Sequence, residues 1–394
     1  MVIRTDHLKR RAADLRHDPM VGLFAASLRR PGMVSFAAGA PDAALLPIDD
    51  LAGFVAAARE RHGPALLQYG ATAGFKPLLL ATDRLLRVRG LVGGAGRIHI
   101  ATGGSGALNA IAMAVLRPGD RVLVETPTYA GALAVFAAYG VEVAAVETDD
   151  DGMLPVALAR EITRGRVSMV YLLPTFQNPS GRTISLDRRA ELAEVLVRHE
   201  VLAVEDDVYY DLRYRGPAVP ALASFAPDNV AYVTSLSKTL APALRIGITS
   251  MPPALLEVVL SLKQGIDMQT STLAQAIAVE MLEDHWYEAQ LGRLRAVYGA
   301  KLAALRSSLN AFPSGFRWTR PEGGIFAWGE GPAGFDAARL LPQAMDAGAM
   351  YVPGESFHAD GGHRNTLRLS IASPSIGQIH RGVTALAAVF GGAL

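Results

Sequence analysis

The stretch TSLSKTLAPALRIG (Thr234–Gly247) sets Lys238 behind two serines, and Arg245 follows seven residues later. Two more polar clusters, FQNPSG (Phe176–Gly181) and EDDVYYDL (Glu205–Leu212), close or follow apolar runs. Together they supply an amide (Asn178), a carboxylate (Asp206), a phenol (Tyr209), hydroxyls including Ser235, an amine and a guanidinium. A metal centre is poorly served, because no nearby histidine pair supports the carboxylates. A lysine desolvated among apolar strands and beside Arg245 has a lowered pKa and acts as a nucleophilic amine, as a Schiff base with an aldehyde cofactor requires. The other groups then have tasks: a carboxylate for a protonated pyridine nitrogen, a phenol and an amide for a phenolic oxygen, and hydroxyls, Arg245 and backbone amides for a phosphate. Any one of these residues alone reads as surface or core; the joint pattern carries the chemistry.

The elements that must position them alternate. RIHIAT (Arg97–Thr102), RVLVET (Arg121–Thr126), VEVAAVE (Val141–Glu147), SMVYLLP (Ser168–Pro174), VLAVEDD (Val201–Asp207) and VAYVTSL (Val230–Leu236) read as strands, several apolar almost throughout. That is the pattern of strands covered on both faces. GALNAIAMAVL (Gly106–Leu116) and LDRRAELAEVLVRH (Leu186–His199) read as helices between them. Strands alternating with helices predict an α/β fold with a mostly parallel sheet, and ligands of such a sheet collect at the carboxyl ends of its strands. Beyond about residue 275 long helical stretches are followed by GGIFAWGE (Gly323–Glu330) and TLRLSIA (Thr366–Ala372), the expected strands of a smaller α+β part.

ATGGSGALNA (Ala101–Ala110) follows a strand and opens a helix, where free backbone N–H groups suit an anion. A dinucleotide reading competes here, with Glu125 as the ribose acid, but the third glycine of its fingerprint is Asn109. The hydrolase elbow fails because Ala107 follows Ser105. His358 and His363 read as loop residues rather than metal ligands, and Glu205 and Asp207 as structural carboxylates.

The formal charge is +1, from 38 basic and 37 acidic side chains, which argues against a nucleic-acid or membrane-surface partner. Cysteine is absent, so neither a disulfide frame nor a thiolate site is available. The charged start, MVIRTDHLKRRAADLRHD, is unlike a secretory leader, and no apolar run approaches a membrane span. A cytoplasmic location is the expectation.

The set resembles the fold-type I pyridoxal 5'-phosphate (PLP) enzymes, specifically class I/II aminotransferases and within them the 2-aminoadipate and kynurenine aminotransferase subgroup. Besides the segments above, VSFAAGAPD (Val34–Asp42), LQYGATAGFKPL (Leu67–Leu78), PEGGIFAW (Pro321–Trp328), VPGESF (Val352–Phe357) and LRLSIA (Leu367–Ala372) carry the resemblance over nearly the whole chain. It implies a large PLP-binding domain over residues 50–290, and a small domain made of 1–49 and 291–394. It implies that Lys238 forms the Schiff base and shuttles a proton, that Asp206 pairs with the pyridine nitrogen and that Tyr129 stacks on the ring. Asn178 and Tyr209 would bond the phenolic oxygen. Ser235, Arg245, Gly104 and Ser105 would bind the phosphate, joined by Tyr69 from a second subunit, so that a homodimer is the minimum working unit. Arg368 would clamp the substrate carboxylate in two-pronged fashion, with Gly39 and Asn178 also facing substrate. The activity implied is transfer of an amino group from an L-amino acid to a 2-oxo acid. Other PLP chemistry on an amino acid (oxygen-dependent oxidation, elimination or decarboxylation) is the alternative on the same fold. The residues before Val34 are too few for the DNA-binding part of an aminotransferase-like regulator.

Two departures stand out. Where the subgroup has Ser-Gln-Gln this chain has Gly104-Ser105-Gly106, which shifts phosphate binding toward backbone N–H groups. VGLFAA (Val21–Ala26) holds no arginine where adipate-acting relatives carry one, which argues against an acidic substrate side chain.

Overall fold

The computed structural model, which describes residues 22–23, 25–26, 30, 32–94, 96–283 and 285–393, gathers the six apolar runs into one sheet. In chain order the strands are β1 (Ile98–Thr102), β2 (Arg121–Glu125), β3 (Glu142–Val146), β4 (Met169–Leu172), β5 (Ala203–Asp206), β6 (Val230–Ser235) and a seventh, β7 (Ile246–Ser250). Their spatial order is β1-β7-β6-β5-β4-β2-β3. The five strands from β6 to β3 run parallel, and β4, β5 and β6 are buried along their whole length, as strands covered on both faces must be. β3, at the edge, is half exposed.

β7 is not announced by the alternation, and its connection explains why. Only 3₁₀ turns lie between Ser235 and Ile246, too little chain for a helical crossover, so β7 must return antiparallel beside β6. It pairs antiparallel with β1 on its other side. Lys238 and Arg245 both ride on this short link.

The helix after β1 spans Gly103–Val115 and starts three residues ahead of the expected Gly106, so the glycines form its first turn rather than a preceding loop. The helix Leu186–Arg198 starts as expected, capped by the Ser185 side chain accepting from Arg188 N.

The two later runs lie in a second, antiparallel sheet of β8 (Arg317–Trp318), β9 (Phe326–Glu330), β10 (Val352–Pro353) and β11 (Thr366–Ser370), in the order β8-β9-β11-β10. Val34–Ser35 pairs in parallel with Ala349–Met350, joining the early chain to the late chain. The basic run KRRAADLRHD lies outside the described residues, as do Val21 and Phe24 of VGLFAA. No described helix is long and apolar enough to cross a membrane.

Candidate active site

Asn178, Asp206 and Lys238 follow or end β4, β5 and β6, adjacent parallel strands, and so converge at one end of the sheet. They line a cavity of ≈ 350 Å³ with Gly39, Gly104, Ser105, Tyr129, Tyr209, Ser235, Arg245 and Arg368. Every residue expected at the site is therefore brought together in one chain except Tyr69, which is 78% exposed and away from this cavity.

Lys238 Nζ donates to the Gly39 carbonyl at 2.8 Å and lies 5.8 Å from the centre of the Tyr209 ring. Its pKa is pushed down to about 8, by burial first and by the Arg368 guanidinium next; Arg245 adds to the shift and Asp206 opposes it. The amine is thus partly neutral near physiological pH, as a nucleophile needs.

Asp206 is buried, and one of its oxygens accepts from Tyr171 OH at 2.7 Å. The other, Oδ1, is a buried acceptor with no hydrogen-bond partner in the protein. Burial pushes the carboxyl up to about 6, against the pull of Tyr171. A buried, half-satisfied carboxylate is costly, and a cationic N–H donor in the cavity relieves that cost. The donor set therefore fits a protonated pyridine ring. Tyr209 is buried and its phenol is pushed well up, by burial first, so it stays a neutral hydrogen-bond donor.

The anion end is built by close backbone approach. Ser235 lies opposite Gly247 in the β6–β7 register. A Cβ at Gly247 would stand 2.5 Å from the carbonyl carbon and oxygen of Gly103. Gly103 has φ +75°, and a Cβ there would run into the Arg245 guanidinium. Both glycines are required so that the helix start, β7 and Arg245 can meet. Gly104 differs: a Cβ would find its nearest neighbour at 3.7 Å, so space does not dictate glycine. The first-turn N–H groups of the helix lack intrahelical acceptors, so they can serve an anion where Gly104 offers no hydroxyl. Ser235 Oγ lies 2.8 Å from Ser237 Oγ and 3.0 Å from the Ile246 carbonyl, which fixes the hydroxyl pair.

Tyr129 precedes the helix Ala130–Tyr139, and its ring folds back over Gly131, where any Cβ would collide with it. Arg368, on β11, is buried; Nη1 donates to Asn178 Oδ1 at 2.7 Å and Nη2 to the Ala37 carbonyl at 2.5 Å. Its guanidinium sits 4.2 Å from the Phe326 ring centre and 4.9 Å from that of Phe357. Phe326 and Ser237 line the cavity and were not singled out from the sequence. For Phe326 a signal existed: alternation along β9 puts it on one face with Trp328, and Trp328 pairs with Arg368.

The competing readings are consumed elsewhere. Glu125 Oε2 accepts from Leu173 N at 2.8 Å inside the sheet, and Asn109 Oδ1 accepts from Tyr139 OH. Glu205 caps the backbone at Leu222 and Ala223, and Asp207 accepts from Tyr232 OH, so both carboxylates are structural. His358 and His363 stack at 4.1 Å, and among the described residues no cluster could hold a metal ion.

The chain matches the family described as Aminotransferase class I and II over residues 32–386. It is 34% identical to an aromatic-amino-acid aminotransferase of Thermococcus litoralis, over 90% of this chain and 87% of that protein. A multiple substrate aminotransferase from Thermococcus profundus superposes with a TM-score of 0.93 at 33% identity, covering 99% of both chains. An α-aminoadipate aminotransferase of Thermus thermophilus, complexed with N-(5'-phosphopyridoxyl)-L-leucine, superposes with a TM-score of 0.89 at 32% identity, covering 97% of this chain and 96% of that one.

Proposed function

The chain belongs to the class I and II aminotransferases, PLP-dependent enzymes of fold type I that pass an amino group from an amino acid to a 2-oxo acid, and on that premise we propose how its own residues divide the work. Lys238 holds the cofactor through its amine and moves the proton at the substrate α-carbon. Asp206 Oδ1 accepts from the pyridine N–H and Tyr209 donates to the ring oxygen. Asn178 Oδ1 accepts from Arg368 Nη1, which leaves the Asn178 Nδ2 hydrogens as the donors for that oxygen. Tyr129 covers one face of the ring. Gly104, Ser105, Ser235 and Arg245 bind the phosphate, and Arg368 takes the substrate carboxylate in front of Gly39. Bound PLP supplies an electron sink for the α-carbon. The observation that carries this division is the depressed Lys238 amine sharing one cavity with the unpartnered Asp206 Oδ1.

The working unit in this reading is a cytoplasmic homodimer in which Tyr69 completes the neighbour's phosphate site. Its support is the exposure of Tyr69, beside Leu67 at 86%. Residues 50–290 would form the large domain around the seven-stranded sheet, and residues 1–49 with 291–394 the small one.

The visible spectrum of the purified enzyme tests the reading. An amino acid added without any oxo acid should bleach the bound-cofactor band once, and a 2-oxo acid should restore it. Borohydride reduction should fix the cofactor on Lys238. Sustained product formation with no oxo acid present, or full turnover by Lys238→Ala, would overturn it.

A further inference from the structure

Tyr69 stands on a loop held at several points, and one of them, at the loop's end, is a fully buried side chain. Gln275, in the first turn of the helix Thr272–Glu283, is 1% exposed. Its Oε1 accepts from Phe75 N at 2.7 Å, at the end of the Tyr69 loop, and its Nε2 donates to the Thr270 carbonyl, also at 2.7 Å. Thr270 in turn donates through Oγ1 to the Ile100 carbonyl at 3.1 Å, and Ile100 N donates to the Ala73 carbonyl of the loop at 2.8 Å. Ile100 lies on β1, two residues ahead of Thr102 and three ahead of Gly103, where the phosphate turn begins. Nearer the tip, Gln269 Oε1 accepts from Gly70 N, and Thr272 Oγ1 lies 3.4 Å from the Gln68 carbonyl. Gly74, at φ +131°, brings the loop so close that a Cβ would stand 2.6 Å from the Ile100 side chain.

The Gln275 amide thus ties the end of the loop to the Thr270 segment, and the Thr270 hydroxyl ties that segment to the strand that leads into the phosphate turn. A buried amide with donor and acceptor both used is a rigid tie, since losing either bond leaves a buried backbone group unpaired. We propose that Gln275 is a positioning residue for cofactor binding, which fixes the end of the Tyr69 loop to the Thr270 segment beside β1 so that each subunit presents Tyr69 to its neighbour's phosphate in register. The proposal rests on the reading of Tyr69 as a phosphate ligand across a two-fold dimer, in which a change in one subunit must act on the other subunit's site.

Hybrid dimers test it. One tagged subunit carries Lys238→Ala together with the test substitution, and the other is wild type. Borohydride then fixes cofactor only on the wild-type subunit, whose cavity is intact but for the Tyr69 it receives. The PLP concentration giving half-maximal fixation is the readout. Tyr69→Phe in the tagged subunit should raise it about tenfold, the scale of one hydrogen bond to a charged group. Gln275→Met should raise it comparably, and the two together should raise it no further than Tyr69→Phe alone. An unchanged value for Gln275→Met, or effects of Gln275→Met and Tyr69→Phe that multiply, would overturn the proposal, because a merely structural loss has no reason to vanish when the Tyr69 hydroxyl is gone. If Tyr69→Phe itself moves nothing, the reading of Tyr69 falls and the proposal with it. Should the Met variant not fold, Gln275→Glu, which keeps the acceptor for Phe75 N, is read in the same hybrids. Its expected rise is smaller, is again absent on the Tyr69→Phe background, and no rise at all counts against the proposal.

Discussion

In the cofactor-free enzyme Lys238 should lose its proton near pH 8 instead of 10.5, a difference set by burial and by two arginines. At pH 7 a group with pKa 8 is about 9% neutral and one with pKa 10.5 about 0.03%, so the cavity makes roughly 300 times more free amine available. The arrangement also fixes the sign of two perturbations. Arg368→Met removes the larger guanidinium contribution, so the midpoint must rise; Asp206→Asn removes the carboxylate that opposes it, so the midpoint must fall. The assay is acylation of the cofactor-free protein with a small amine-selective reagent across pH 6 to 11. Modification of Lys238 is quantified by peptide mass spectrometry and scaled to its own plateau, with exposed Lys76 as the internal reference. Scaling removes the effect of access, so the midpoint reports only the proton. A wild-type midpoint indistinguishable from 10.5, or variants that shift in the same direction, would refute the reasoning.

Asp206→Asn in the PLP-loaded enzyme should slow the half-reaction with an amino acid by at least about 10²-fold, the scale of losing one preorganised electrostatic partner, and single-turnover spectroscopy measures it. Gly103→Ala places a side chain at φ +75° and against the Arg245 guanidinium, so PLP affinity by equilibrium titration should drop by about tenfold or more, whereas Gly104→Ala, with room for a methyl, should lose less. Glu125 is buried and its carboxyl is raised from 4.5 to about 7. The folded chain therefore keeps a proton that the unfolded chain has already lost, and stability falls between those two pH values, by about 3 kcal/mol in all. Glu125→Gln should remove that slope, being neutral near pH 4 and stabilising at pH 8 in urea unfolding. Among the described residues the cations lining the cavity are Lys238, Arg245 and Arg368, each given a task in the proposed division of work, so kcat/KM should favour donors with uncharged side chains over 2-aminoadipate.

The site was legible where chemistry sits on the chain next to what positions it. Asn178, Asp206 and Lys238 each end or follow an apolar run, and parallel strands bring such ends together without further information. What was not legible is contact without sequence proximity. β7 escaped because a short antiparallel return lacks the helix that marks a strand boundary. The glycines at 103, 131 and 247 are visible as composition, but only the approach of Arg245, Tyr129 and the facing backbone says why each must lack a Cβ. The bond between Asn178 and Arg368 spans 190 positions and two sheets.

The lysine shows the same limit in its energetics. Reading along the chain makes Arg245, seven residues away, the neighbour that depresses the amine. In the fold the larger influence is Arg368, 130 residues away, and Arg245 comes after it. Dielectric favours that order. Arg245 is exposed, so water screens its charge, whereas Arg368 is buried and its field crosses protein interior. In the proposed division of work, the guanidinium that would clamp the substrate carboxylate is also the one of the two arginines that does more to keep the amine neutral. On that reading, a substrate carboxylate that neutralises Arg368 should ease the pressure on Lys238 and make the amine more basic for the stage at which it would take the α-carbon proton.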